Sequence, residues 1–139
     1  MGIWCGKQNI GFQAERFNHP RAAGGIFYFE ALTVVSALEW ACAQPVRPKR
    51  LVIFCDNTNA VNVFDKLKAD DPYNDILLYS IQLRQYYEID LRVVWIRSEE
   101  NPIADAISRF DLGTVLRLAP GARIFQFQPP RLPLGAAGL

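Results

Sequence analysis

No aspartate occurs before Asp56, and the acids of that stretch are three glutamates, Glu15, Glu30 and Glu39. A cluster of aspartates on early strands is thereby excluded. Histidine is nearly missing too, since His19 in an early loop is the single one, so a histidine-based proton relay later in the chain is excluded. The three cysteines, Cys5, Cys42 and Cys55, are odd in number and form no CxxC pair, which argues against a disulfide framework and a zinc ribbon. Cys42 and Cys55 lie in apolar runs, where a thiol serves as a small core group. Charge of one sign is also lacking: 15 basic against 14 acidic residues leave a net +1, so any polyanion must be met by local clusters. The longest apolar stretch, Ile26 to Ala43, is broken by Glu30 and Glu39, and no basic segment leads into a cleavable apolar one. Neither a membrane span nor a secretion signal is expected, and an intracellular location is.

What is present suffices for one core, since half of the 139 residues are apolar. Residues 2–6 and 9–14 are short aromatic and β-branched runs that suit a hairpin, and residues 17–25 suit a loop. Ile26 to Ala43 is nearly all helix formers and bulky apolars, ending before Pro45. Arg50 to Cys55 is a continuous apolar run of strand length, expected as a central parallel strand covered on both faces. Thr58 to Ala69 and Tyr73 to Glu88 suit helices, the second with an apolar face of Ile76, Tyr79, Leu83 and Tyr86. A strand over Asp90 to Ile96 follows, then a short helix with Asn101 as N-cap and Pro102 in its first position. The order implies a mixed α/β domain over residues 1–110, because parallel neighbours need crossover helices. Residues 111–139, with several Pro and Gly, suit a linker or a poorly ordered tail.

Three acids are candidates for chemistry. Glu30 shares a helix face with Val34, Ala37 and Ala41, where a carboxylate needs a cation, a metal or a way to water. Its structural alternative is a place in the first helical turn, favoured by the helix dipole. Asp56 ends the apolar strand, at the sheet edge where open α/β folds bind ligands; alternatively Asp56, Asn57 and Thr58 simply cap the next helix. Asp105 lies one turn inside the last short helix, where it can also pair with Arg109. Together they form a set of hard oxygen donors from separate elements, suited to Mg²⁺.

Phe29 to Glu39, Leu51 to Val61 and Val94 to Arg109 resemble three motifs of the RNase H domains attached to retrotransposon reverse transcriptases, closest to DIRS-like, tyrosine-recombinase elements. The resemblance covers roughly residues 2–110 and implies an RNase H-like mixed sheet with flanking helices, a metal-dependent endonuclease cleaving the RNA strand of RNA:DNA hybrids. It implies that Glu30, Asp56 and Asp105 are catalytic metal ligands for Mg²⁺ or Mn²⁺, in a two-metal site. The family's first, central strand and its aspartate have no counterpart before Gly2, so an N-terminally incomplete domain with an incomplete metal site and weak or lost activity is expected. An upstream reverse-transcriptase region or a second chain would then complete the sheet. The loop Arg97 to Asn101 has no histidine, and Glu99 and Glu100 suit solvated loop acids. Arg47, Lys49, Arg50, Lys66, Lys68, Arg92 and Arg97 are the candidate contacts to phosphates, near Trp4 and Trp95 for some. The alternative is a non-catalytic nucleic-acid-binding or interaction remnant of the same fold.

Overall fold

A computed structural model of the chain describes residues 1–17, 26–69 and 73–132. Gly2–Cys5 (β1) turns back through a 3-10 turn at Gly6–Gln8 into Ile10–Gln13 (β2), and the two pair antiparallel with Gly2 opposite Gln13. Asn9 takes the left-handed conformation that closes this turn, one of the few a non-glycine residue adopts with a short polar side chain. Its side-chain amide donates to the carbonyl of Pro120 at 3.2 Å.

Ile26–Cys42 (α1) lies at the centre of the molecule. Ala31, Leu32, Val35 and Leu38 are all 0% exposed, so this helix is buried on more than one side, as its composition demands. Arg50–Cys55 (β3) and Asp90–Trp95 (β4) pair in parallel with Arg50 opposite Asp90, joined by the crossover helices Thr58–Lys66 (α2) and Asn74–Tyr87 (α3). Pro102–Ser108 (α4) follows. The architecture is mixed α/β, with helices on the faces of small sheets.

Three expectations are corrected. Residues 111–132 are no tail: Leu112–Leu118 is a helix (α5) and Arg123–Gln126 a strand (β5) that pairs parallel with β2. The helix is started by Asp111, whose carboxylate accepts from the Thr114 amide and hydroxyl, and Val115 is buried against α4. Residues 133–139 lie outside the described residues, as do 18–25 with most of the expected early loop. Second, β3 is covered on one face only. Leu51, Ile53 and Cys55 join the core around α1, whereas Val52 and Phe54 are 49% and 59% exposed. The helices that would cover the other face, α4 and α5, pack instead on β1, β2 and β5. Third, the expected apolar face of α3 holds for Ile76, which is buried, and for Tyr79 and Leu83, which pack against the core beside the buried Leu77 and Ser80, but Tyr86 is exposed.

The strands fall into two sheets, β1-β2-β5 and β3-β4, and among the described residues no strand pairing joins them. Both sheets rest on α1, the first through Phe12 packed against Trp40, with ring centroids 5.4 Å apart and planes tilted by 54°. On the opposite face of β1, α4 comes so close that only glycine fits at position 2: a Cβ there would lie 2.5 Å from the Ala104 carbonyl oxygen. Gln13 fixes the far end of α4 by donating its side-chain amide to the Ile107 carbonyl at 3.0 Å.

Candidate functional site

Glu30 is the fifth residue of α1, so it stands beyond the first turn and the dipole account of its place does not apply. It lies half-buried on the same face as Val34, Ala37 and Ala41. Asp56 directly follows β3. It is free of capping duty, because Asn57 takes that role and accepts from the Ala60 amide at 3.0 Å. Asp105 sits in the first turn of α4, with the guanidinium of Arg109 3.3 Å from its carboxylate. Asn101, expected to cap α4, makes no side-chain capping bond.

The three acids, from three separate elements, line one cavity of about 230 Å³ together with Met1, Arg16 and Arg109. Glu30, Asp56 and Cys55 each offer a donor atom within 4.8 Å of the others. Asp105 is outside that tighter group, and its carboxylate is paired with Arg109. Glu99 and Glu100 are exposed, Glu100 with Arg97 at 4.0 Å, as solvated loop acids are. His19 lies outside the described residues.

The electrostatics identify Glu30 as the strained member. Burial raises its pKa, the nearby Asp56 carboxylate adds to this and Asp105 contributes less, while the Met1 ammonium and Arg16 oppose the shift. Burial also lowers the Met1 ammonium, which donates to the Ala14 carbonyl at 2.7 Å. Cys55 is pushed up to about 11 by burial, so at neutral pH it is a thiol and a poor ligand. The usable donors are therefore carboxylate oxygens, a set that fits a hard cation such as Mg²⁺. Against it, two guanidinium groups, those of Arg16 and Arg109, share the cavity with the three acids.

Sequence reasoning found Glu30, Asp56 and Asp105 but not these counter-charges or Cys55. Arg109 alone was visible, four residues after Asp105; Arg16 and Met1 reach the cavity only through the folding of the hairpin.

A pH dependence follows. Glutamate in an unfolded chain ionises near pH 4.3, roughly. Because the folded value is raised, the contribution of Glu30 to stability is fully present below that pH and is lost as pH rises through the folded value. Without divalent ions, wild type should therefore lose melting temperature relative to Glu30→Gln across this window. Thermal unfolding of both proteins in chelator, at a series of pH values, checks this; parallel curves would contradict the burial of the Glu30 charge.

The seven basic residues named as phosphate contacts are all exposed. Arg47 lies over the Tyr87 ring, 4.9 Å from its centroid. Among the described residues no helix is long and apolar enough to cross a membrane. Comparison with family models, curated proteins and solved structures finds no match to this chain.

Proposed function

We propose that the chain is an RNase H-like nuclease domain of a retroelement polyprotein, with Mg²⁺, or Mn²⁺ in its place, as cofactor and the RNA strand of an RNA:DNA hybrid as substrate. The observation that carries this reading is the meeting of Glu30, Asp56 and Asp105, from a central helix, a strand end and a late helix, around one cavity. Their order along the chain, and the motifs around them, are those of the family it resembles. Its partners in this reading are the hybrid and an adjoining reverse-transcriptase region.

A divalent cation would supply Lewis acidity toward a phosphodiester oxygen. Glu30 and Asp56 would hold it, their carboxylates being close enough to share one ion. Asp105 adds negative charge from the α4 side while Arg109 fixes its carboxylate. The raised pKa of Glu30 marks a charge that the fold stores at a cost and that a cation relieves.

Hydrolysis by the chain itself is weak in this reading. Arg16 and Arg109 offset part of the charge of the three carboxylates, so the cavity's attraction for a cation is reduced. That same offset favours a second reading, a non-catalytic module that binds hybrid with these acids as inert survivors. Labelled RNA:DNA hybrid incubated with the protein in Mg²⁺ or Mn²⁺ separates the two. Slow cleavage abolished by Glu30→Gln supports the nuclease. Salt-dependent hybrid binding that is unaffected by Glu30→Gln, with no cleavage in either metal, sinks it in favour of the binding module.

A further inference from the structure

At the end of β3 away from the acids lies a basic and aromatic patch that the nuclease reading leaves unused. Arg47, Lys49 and Arg50 lead into β3 and are exposed. The length of β3 then separates Arg50 from Asp56, on the order of 20 Å by the rise of a strand. The chain brings the end of α3 to the same place: the Lys49 carbonyl accepts from the Asp90 amide at 2.8 Å, just after α3 ends at Tyr87. There the Arg47 guanidinium lies over the Tyr87 ring, 4.9 Å from its centroid. Tyr86 meets the Tyr87 ring edge-on, with centroids 4.8 Å apart, and is itself 80% exposed. Arg92 adds a further exposed cation, two places along β4 from Asp90, the residue opposite Arg50.

These cations are not neutralised within the fold. Among the described residues the ion pairs are Arg97 with Glu100 and Arg109 with Asp105, so Arg47, Lys49, Arg50 and Arg92 take part in none. The acids at this end are Glu88 and Asp90, both exposed, and Glu39, which accepts from the Tyr79 hydroxyl. Exposed cations beside an aromatic ring that is held by its neighbour and faces water suit one class of partner above others. Single-stranded nucleic acids are bound without regard to sequence in this way, the cations following phosphates and the ring taking a base. A paired A-form duplex keeps its bases stacked inside and offers no base face to Tyr86. Val46, the exposed apolar side chain beside Arg47, is too small to anchor the patch in a membrane. We infer that this patch is a second nucleic-acid site, for a single-stranded segment of RNA or DNA: a base stacks on Tyr86 while Arg47, Lys49 and Arg50 meet the flanking phosphates. The inference rests on the patch alone and stands whether or not the acidic cavity holds a cation.

The test uses the whole chain in chelator with labelled oligothymidine and oligouridine of about ten nucleotides, followed by fluorescence anisotropy. Both should bind saturably, with the logarithm of the affinity falling against that of salt at a slope of about −2, the value for three phosphates of a single strand. Tyr86→Ala should weaken binding about tenfold with the slope unchanged, and Tyr86→Phe should bind as wild type does. Lys49→Gln combined with Arg50→Gln should instead flatten the slope to about −0.7. All of these side chains are exposed, so the variants should melt cooperatively; if one does not, the other still decides the matter. Absence of binding at low salt, wild-type affinity in Tyr86→Ala or an unchanged slope in the doubly substituted protein would overturn the inference. Equal affinity for a polyglutamate peptide does so by making the patch a site for any polyanion. Tighter binding of a paired RNA:DNA hybrid, weakened equally by Tyr86→Ala, assigns the patch to duplexes and also overturns it. So does sedimentation with phosphatidylserine vesicles without oligonucleotide binding, which assigns it to a membrane.

Discussion

Asp56→Asn should reduce the affinity for Mn²⁺ by on the order of a hundredfold, read by calorimetric titration, while leaving the metal-free protein at least as stable as wild type. The two outcomes have one cause. Asp56 and Glu30 offer oxygens within 4.8 Å of each other, so each helps to hold a shared cation and, without one, each repels the other. Removing the Asp56 charge takes away the second-largest influence raising the Glu30 pKa, after burial. The helix that follows should not suffer, since its cap is the side chain of Asn57 and not that of Asp56. A variant that loses both cation binding and melting temperature would show instead that Asp56 is a structural residue. Unchanged affinity would place the cation elsewhere or nowhere.

The site was legible in the sequence where local pattern sufficed. Glu30 stood out because helical periodicity set it on a face of core residues, and the fold buries that face. Asp56 was ambiguous as long as three polar residues competed for one cap; the bond from Ala60 to Asn57 settles which of them caps. What stayed hidden depended on long-range placement. Arg16 shares the cavity because the hairpin folds back beside α1, a contact that no spacing reveals. The apolar run of β3 suggested burial on both faces, but an apolar residue records only what burial would favour, and α4 and α5 lie on the other sheet. Residues 111–132 were obscured by the surrounding Pro and Gly. The N-cap Asp111, three residues before Thr114 and followed by Leu112, Val115 and Leu116, was the available helix signal there. For β5 no local signal was adequate: four residues become a strand because β2 offers them an edge.

The strongest steric demand in the chain falls on Gly2, and Gly2→Val should destabilise the protein by about 3 kcal/mol or more in urea unfolding. A Cβ at this position would meet the Ala104 carbonyl oxygen at 2.5 Å, the Ser108 amide nitrogen at 2.7 Å and the Ile107 Cβ at 3.1 Å. Two of these are backbone atoms of α4, and no rotamer change can move them. Relief requires the helix to lift from β1, and Asp105 lies between Ala104 and Ser108, so the acid must move with it. Gly11 provides the internal comparison. Its Cβ would meet the ends of the Ile107 and Ile124 side chains at 2.6 and 2.8 Å, groups that can turn aside, and its nearest backbone atom, the Ile3 carbonyl oxygen, is farther off at 3.2 Å, so Gly11→Ala should cost clearly less, about 1 kcal/mol. If Gly2→Val proved as stable as wild type, α4 would not rest on β1, and Asp105 would have no fixed place beside Glu30 from which to serve a shared cation.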